Sequence, residues 1–113
     1  MDEPIYIILG KSLENDIIEG RAREGGAIPS TNELSERFGI NPATVVKGVD
    51  LLAREGFLRK RRGVGVFVVE GARELIIERR IEEFRERVLP DTLREARMLG
   101  IPKSDLVAMV MSR

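Results

Sequence analysis

The chain has 113 residues, its 19 Lys and Arg residues balance 19 Asp and Glu residues, and it contains neither cysteine nor histidine. This composition excludes disulfides, thiolate nucleophiles, imidazole bases and the common zinc ligands, so we expect no enzyme and no cofactor. No apolar run approaches the ~20 residues that span a bilayer. The acidic start, Met1-Asp2-Glu3, is unlike a signal peptide. We therefore expect a cytoplasmic protein without membrane contact.

The first predicted element is a helix over residues 4–20, which Gly20 can end. Its apolar stripe, with one residue every four positions, consists of Leu9, Leu13 and Ile17. Ile7 and Ile8 lie off this stripe and fit either a wide core face or contact with a second domain or subunit. Residues 21–29 are predicted as a loop.

A short second helix should follow this loop. Ser30 and Glu33 have the spacing of a capping box, in which each side chain accepts a hydrogen bond from the other residue's backbone N–H. The helix should end near Phe38 because Gly39 follows it. We expect Leu34 and Phe38 to supply its buried side.

A third helix is predicted over residues 42–55, with Asn41 as its N-cap and Pro42 at its first position. Two helices joined by a three-residue turn that begins at Gly39 form the helix-turn-helix pattern, whose second helix enters the major groove of DNA. The core side should consist of Val45, Val49 and Leu52. The predicted DNA contacts of this recognition helix are Asn41, Pro42, Ala43, Thr44 and Lys47. A solvated surface position is the alternative for Lys47.

Residues 57–69 are predicted as a β-hairpin, which we call the wing, because two strand-like segments flank a glycine-bearing turn. Residues 59–62 are four consecutive cations, and strand alternation places them on different faces. The predicted DNA contacts at the tip, in or beside the minor groove, are Arg61, Arg62, Gly63, Val64 and Gly65. A charged edge that blocks aggregation is the alternative. We expect the recognition helix and the wing to project on the same side of the molecule.

The zero net charge of the chain contrasts with the basic character typical of DNA-binding domains. Residues 41–65, however, contain six Lys and Arg residues against two Asp and Glu residues, a local net charge of +4. Charge distribution therefore favours DNA binding. The alternative function is a winged-helix module that binds another protein and not DNA.

The C-terminal part, residues 71–113, is predicted to be all-helical and separate from a DNA-binding domain of residues 1–70. Its helices should cover residues 72–89, then a segment from Pro90 to Gly100, and finally residues 102–111. Their apolar rows are too long for the N-terminal domain to cover, so we expect a homodimer; a helical hairpin within one chain is the alternative. The candidate dimerisation residues are Ile77, Ile81, Phe84, Val88, Leu93, Leu99, Leu106 and Val110.

Five segments in this order and spacing resemble the GntR family of bacterial regulators, over roughly residues 4–69. The segments are Pro4-Ile5-Tyr6, Ile28-Pro29-Ser30-Thr31-Asn32-Glu33-Leu34, Phe38-Gly39-Ile40-Asn41-Pro42-Ala43-Thr44-Val45, Leu52-Ala53-Arg54-Glu55-Gly56-Phe57-Leu58 and Arg62-Gly63-Val64-Gly65-Val66-Phe67-Val68. The second segment adds Ser30, Thr31 and Asn32 to the candidate DNA contacts. Many relatives carry arginines that contact DNA at the places of Asn32, Pro42 and Val46, and those roles do not transfer to this chain.

The start of the recognition helix and the short C-terminal part resemble the YtrA branch of that family. The resemblance implies an α+β fold, in which an N-terminal winged helix-turn-helix is followed by a small all-α helical dimerisation part without a large effector domain. It also implies a homodimeric regulator that binds a palindromic double-stranded DNA operator, with repression as the expected direction and activation as the alternative. A small-molecule effector stays open, and no residues identify its site.

Overall fold

The computed structural model describes residues 3–113, so Met1 and Asp2 of the acidic start lie outside the described residues. The described chain combines helices with one two-stranded antiparallel sheet. It divides into two compact units, Met1–Ile77 and Glu78–Arg113. The elements in chain order are α1 (Ile5–Ile18), α2 (Thr31–Phe38), α3 (Pro42–Arg54), β1 (Leu58–Arg61), β2 (Gly65–Val68), α4 (Ala72–Glu83), a π-helical turn (Phe84–Val88), α5 (Leu89–Met98) and α6 (Lys103–Met111).

The core of the first unit forms where α1 and α3 pack together with α2 and the sheet. The predicted apolar stripe of α1 is confirmed, since Leu9, Leu13 and Ile17 are almost completely buried. The predicted core side of α3 is confirmed in the same way. Ile8, which lies off the stripe of α1, is exposed. The core thus fixes which side of α3 faces outward.

The caps of α2 and α3 form as the sequence predicts. The Glu33 N–H donates to Ser30 Oγ at 3.1 Å, and the Ser30 N–H donates to Glu33 Oε1 at 3.3 Å. Gly39 ends α2 with a φ of 64°, a conformation that favours glycine. The prediction that Phe38 is buried is wrong: its side chain is 38% exposed, because α2 ends there and Leu34 is the buried residue of the helix.

The predicted loop before α2 contributes to the sheet. The Ile28 N–H donates to the Val66 carbonyl, and the Val68 N–H donates to the Gly26 carbonyl, both at 2.9 Å. An isolated bridge pairs Ala27 with Phe67. Residues 26–28 therefore run beside β2 and pair with it through this one bridge, although the consecutive glycines Gly25 and Gly26 give the segment no strand signal of its own.

α5 begins at Leu89, one residue before the predicted helix start at Pro90, but no break separates it from the preceding helix, because the chain stays helical from α4 into α5. Val88 and Leu89 have helical dihedral angles, with φ and ψ of −63° and −50° and of −65° and −47°. Proline donates no hydrogen bond, and its ring clashes with the carbonyl four residues earlier. The π-helical turn immediately before Pro90, in which the Leu89 N–H donates to the Phe84 carbonyl, accommodates that proline without a break.

The second unit ends with a short helix after a glycine stop. At the end of α5 the Ile101 N–H donates to the Ala96 carbonyl at 2.8 Å, so the predicted end at Gly100 is confirmed. α6 follows Pro102, close to its predicted bounds. Within residues 3–113, no helix combines the length and the apolar character that crossing a bilayer requires.

Candidate nucleic-acid and subunit interfaces

The outward side of α3 presents a small group of exposed side chains. Ala43, Val46 and Lys47 share this side at spacings of three and four residues, and all three are exposed. Pro42 is exposed at the start of the helix, and Thr44 is half-buried. Val46 was missing from the predicted contacts, although its side chain is 40% exposed in the middle of this surface.

The start of α3 is held by a cap that uses Asn41. The Ala43 N–H donates to Asn41 Oδ1 at 2.8 Å. This bond satisfies one of the backbone N–H groups that a helix start leaves without a partner inside the helix. The bond therefore fixes the first turn of α3. Asn41 is also a predicted DNA contact, and its side-chain oxygen already accepts this hydrogen bond within the protein.

Lys47 lies against the side chain of Tyr6, which sequence reasoning did not identify as a site residue. The Lys47 ammonium nitrogen is 4.2 Å from the centroid of the Tyr6 ring, within the range of a cation–π interaction. Tyr6 comes from α1 and is half-buried. The pairing depends on how α1 crosses α3, so no local sequence pattern could show it.

The four cations of the wing have different surroundings. Arg59 stands opposite Phe67 in the sheet register, and the Arg61 guanidinium lies 5.6 Å from the Phe67 ring centroid, so these groups share one face. Lys60 points to the other face and forms an ion pair with Asp50 of α3. Arg62 is exposed in the turn. The wing is thus joined to α3 through Lys60.

A groove of about 430 Å³ brings the start of α2 and the wing tip together. Ser30 and Thr31 line one part of it, and Val64 and Gly65 line another. Its lining does not include Thr44 or Lys47. Ser30 and Thr31 therefore share this groove with Val64 and Gly65. The other predicted contacts lie outside its lining: those of α3, and Asn32, Arg61, Arg62 and Gly63.

The second unit buries little of its apolar surface. Within residues 78–113, all of which the structure describes, only Ala96 is classed as buried. Among the candidate dimerisation residues, Phe84 is 55% exposed and Leu99 is 67% exposed. Ile81 and Val110 are also exposed. The half-buried candidates are Ile77, Val88, Leu93 and Leu106.

The sequence profile of the bacterial regulatory proteins of the gntR family matches residues 8–68. The chain belongs to this family. The matched range contains α2, α3, β1 and β2, so the predicted family is confirmed.

The chain is also similar in sequence to two named transcriptional regulators. The chain is 40% identical over 67 residues to the HTH-type transcriptional regulator Rv0792c of Mycobacterium tuberculosis, covering 59% of this chain and 25% of that protein. It is 29% identical over 85 residues to the HTH-type transcriptional repressor YtrA of Bacillus subtilis, covering 75% of this chain and 65% of the repressor. The chain thus spans a quarter of Rv0792c and less than two thirds of YtrA.

Two solved structures are similar to the chain. A GntR-family regulator from Bacteroides thetaiotaomicron is 29% identical, with a TM-score of 0.72 over 96% of this chain and 95% of that one. The predicted α+β winged helix-turn-helix with a C-terminal helical part is therefore confirmed. The DNA-binding domain of AraR, in complex with operator ORX1, is 29% identical, with a TM-score of 0.59 over 60% of this chain and 82% of that one.

Proposed function

We propose that the chain is a sequence-specific regulator of transcription that binds a palindromic operator as a homodimer. The observation that carries this proposal is the exposed side of α3, on which Ala43, Val46 and Lys47 are all exposed and the Lys47 ammonium group lies over the Tyr6 ring. An α-helix fits the major groove, where such side chains can contact base edges. Similarity to the AraR domain that was solved with its operator supports this use of the fold.

The charge distribution around α3 and the wing suits a phosphate backbone. The local net charge of residues 41–65 is +4, and the cations of the wing include Arg62 at its exposed tip. An arginine there fits the negative potential of a minor groove. Phosphate contacts release counterions, so binding should weaken steeply as the salt concentration rises.

The second unit supplies the reason for a dimer. Soluble monomers rarely expose contiguous apolar patches larger than a few hundred Å², and Ile81, Phe84 and Leu99 are all exposed in the single chain. We assign residues 1–70 to DNA binding and residues 71–113 to dimerisation. Within the latter, Ala72 and Ile76 are buried in the core of the first unit and are not available to a subunit interface. A twofold dimer would read two half-sites spaced by about 34 Å or a multiple of that distance.

Repression is the regulatory direction that we propose. A dimer that covers an operator near a promoter excludes other proteins from that DNA by its volume alone. The similar YtrA is named a repressor, which supports the same direction for this chain.

Selection from a random pool of DNA duplexes tests the proposed function. Repeated capture on the purified full chain should enrich an inverted repeat, and footprinting should protect two half-sites. A chain with both Lys47→Ala and Arg62→Ala is the control and should enrich no common sequence. Failure of the unaltered chain to retain any duplex at low salt would overturn the proposal and favour a protein-binding winged helix.

A further inference from the structure

We propose that Tyr6 is a positioning residue for DNA recognition, whose ring holds the Lys47 ammonium group in the direction from which it contacts DNA. This inference rests on the proposed function of α3. It assigns to α1 a part in specificity that neither the helix-turn-helix pattern nor the wing contains. Tyr6 acts through Lys47, and its ring carries the effect rather than its hydroxyl group.

The packing of α1 on α3 brings the two side chains together. Gly48 is buried in α3, and a Cβ at this position would meet the Tyr6 carbonyl oxygen at 2.9 Å. The backbone of Tyr6 therefore lies directly against α3 at Gly48, the residue that follows Lys47 in the sequence. From that position the ring reaches the lysine, with 4.2 Å between its centroid and the ammonium nitrogen.

Lys47 keeps its positive charge available to DNA in this arrangement. Among residues 3–113, no carboxylate forms an ion pair with Lys47, whereas Lys60 is paired with Asp50. A tyrosine ring attracts a cation through its quadrupole without neutralising it. The ring thus orders the lysine and leaves the charge that a phosphate or a guanine edge requires.

The Tyr6 ring should strengthen DNA binding because it orders the Lys47 side chain before DNA is bound. A free lysine side chain samples many rotamers and loses this freedom when it binds DNA. A lysine already held over a ring loses less, and the directed ammonium group should favour the operator geometry over unrelated sequences. An exposed cation–π contact corresponds to about a two- to fivefold change in an equilibrium constant.

The experiment is a double-mutant cycle measured by fluorescence anisotropy. The two probes are a duplex enriched from the random pool by the full chain and a duplex of unrelated sequence and equal length. The variants are Tyr6→Phe, Tyr6→Leu, Lys47→Ala and the combination of the last two. Thermal unfolding of each variant shows whether it is folded, and Tyr6→Met replaces Tyr6→Leu if the latter is not.

We expect Tyr6→Leu to weaken binding of the enriched duplex by about two- to fivefold, with a smaller loss on the unrelated duplex. Tyr6→Phe should bind like the unaltered chain, because the ring remains. In the Lys47→Ala background, Tyr6→Leu should cause no further loss.

Two results would overturn the inference. Equal losses from Tyr6→Phe and Tyr6→Leu would show that the hydroxyl group contacts DNA directly. An equal loss from Tyr6→Leu with and without Lys47 would show that the two residues act independently. Failure of the proposed function itself is a distinct result, since the unaltered chain would then bind neither duplex.

Discussion

A Cβ on Gly48 would lie 2.9 Å from the Tyr6 carbonyl oxygen and 3.0 Å from Leu9 Cδ2. Real Cβ atoms essentially never lie within 3.0 Å of such an atom. α1 and α3 therefore pack at their observed distance because residue 48 has no side chain. The contact places Tyr6 beside the side of α3 assigned to DNA. Stability and recognition therefore depend on the same crossing of two helices.

Gly48→Ala should destabilise the protein by about 1–3 kcal/mol, the usual cost of overpacking a well-packed core. Alanine favours a helix by about 1 kcal/mol over glycine, and the clash with backbone should exceed this gain. Urea unfolding followed by circular dichroism measures the difference in free energy.

Gly10→Ala is the matched control on the opposite helix. Its Cβ would meet the Leu52 side chain at 3.0 Å, and a side chain can move more easily than a backbone carbonyl. We therefore expect a smaller loss than for Gly48→Ala. Equal free energies of unfolding for Gly48→Ala and the unaltered chain would contradict this prediction, because they would show that α1 can move away from α3 to admit the Cβ without loss of stability.

Arg62→Ala should weaken DNA binding and lower the slope of log K against log salt by about one unit, as expected for one lost phosphate contact. Arg62 is exposed at the tip of the wing. Anisotropy titrations from about 50 to 300 mM salt give the slope. Lys103→Ala, which removes an exposed cation from α6, is the control. A slope unchanged by Arg62→Ala would exclude the wing tip from the interface.

Lys47→Ala should lose more affinity for the enriched duplex than for unrelated DNA. A good base contact contributes about 1–3 kcal/mol of discrimination, and the position of Lys47 on the exposed side of α3 suits such a contact. Competition binding with both duplexes measures the ratio. Equal losses on the two duplexes would reduce Lys47 to a phosphate contact.

Asp50→Asn should strengthen binding to both duplexes, because it removes a negative charge beside α3 and releases Lys60 from its ion pair. The two side chains are 48% and 40% exposed, so the cost in folding free energy should stay within ~1 kcal/mol. Asp91→Asn, which removes the partner of Arg94 in α5, is the control. Weaker binding of Asp50→Asn would mean that the pair holds the wing in position.

Local signals in the sequence predicted most of the fold. The capping pair Ser30 and Glu33, the Asn41 cap and the spacing of Leu9, Leu13 and Ile17 each act within one element, and the structure contains all of them. The family motifs predicted the order of the elements in the same way. A periodic pattern with its own cap requires no knowledge of the rest of the chain.

The features that sequence reasoning missed depend on contacts between elements. The sequence signal at Pro90 predicts a new helix but does not show that the preceding helix continues into it. That continuity depends on whether the backbone can widen before the proline, as it does in the π-helical turn. The pairing of Ala27 with Phe67 joins residues far apart in the chain. Tyr6 belongs to one of the family motifs in the sequence, but its contact with Lys47 forms only because α1 crosses α3.

Phe84→Asp should dissociate the proposed homodimer and thereby weaken operator binding. Phe84 is 55% exposed in the single chain, so the change should leave the folded monomer intact. Full burial of such a side chain contributes about 1.5–3 kcal/mol, and a twofold interface contains it twice. We expect the dimer dissociation constant to rise by at least about tenfold, which sedimentation over a range of protein concentrations can measure.

Val64→Asp is the matched control for Phe84→Asp, because it places the same charge at an apolar wing position that is 70% exposed. The two substitutions should differ in their effects on dimerisation and on binding of a single half-site. Val64→Asp should keep the dimer and weaken DNA binding through repulsion from phosphates, whereas Phe84→Asp should bind a single half-site as well as the unaltered chain and lose the advantage of linked half-sites. Unchanged association of Phe84→Asp would remove this side chain from the subunit interface, and a monomeric unaltered chain would contradict the homodimer.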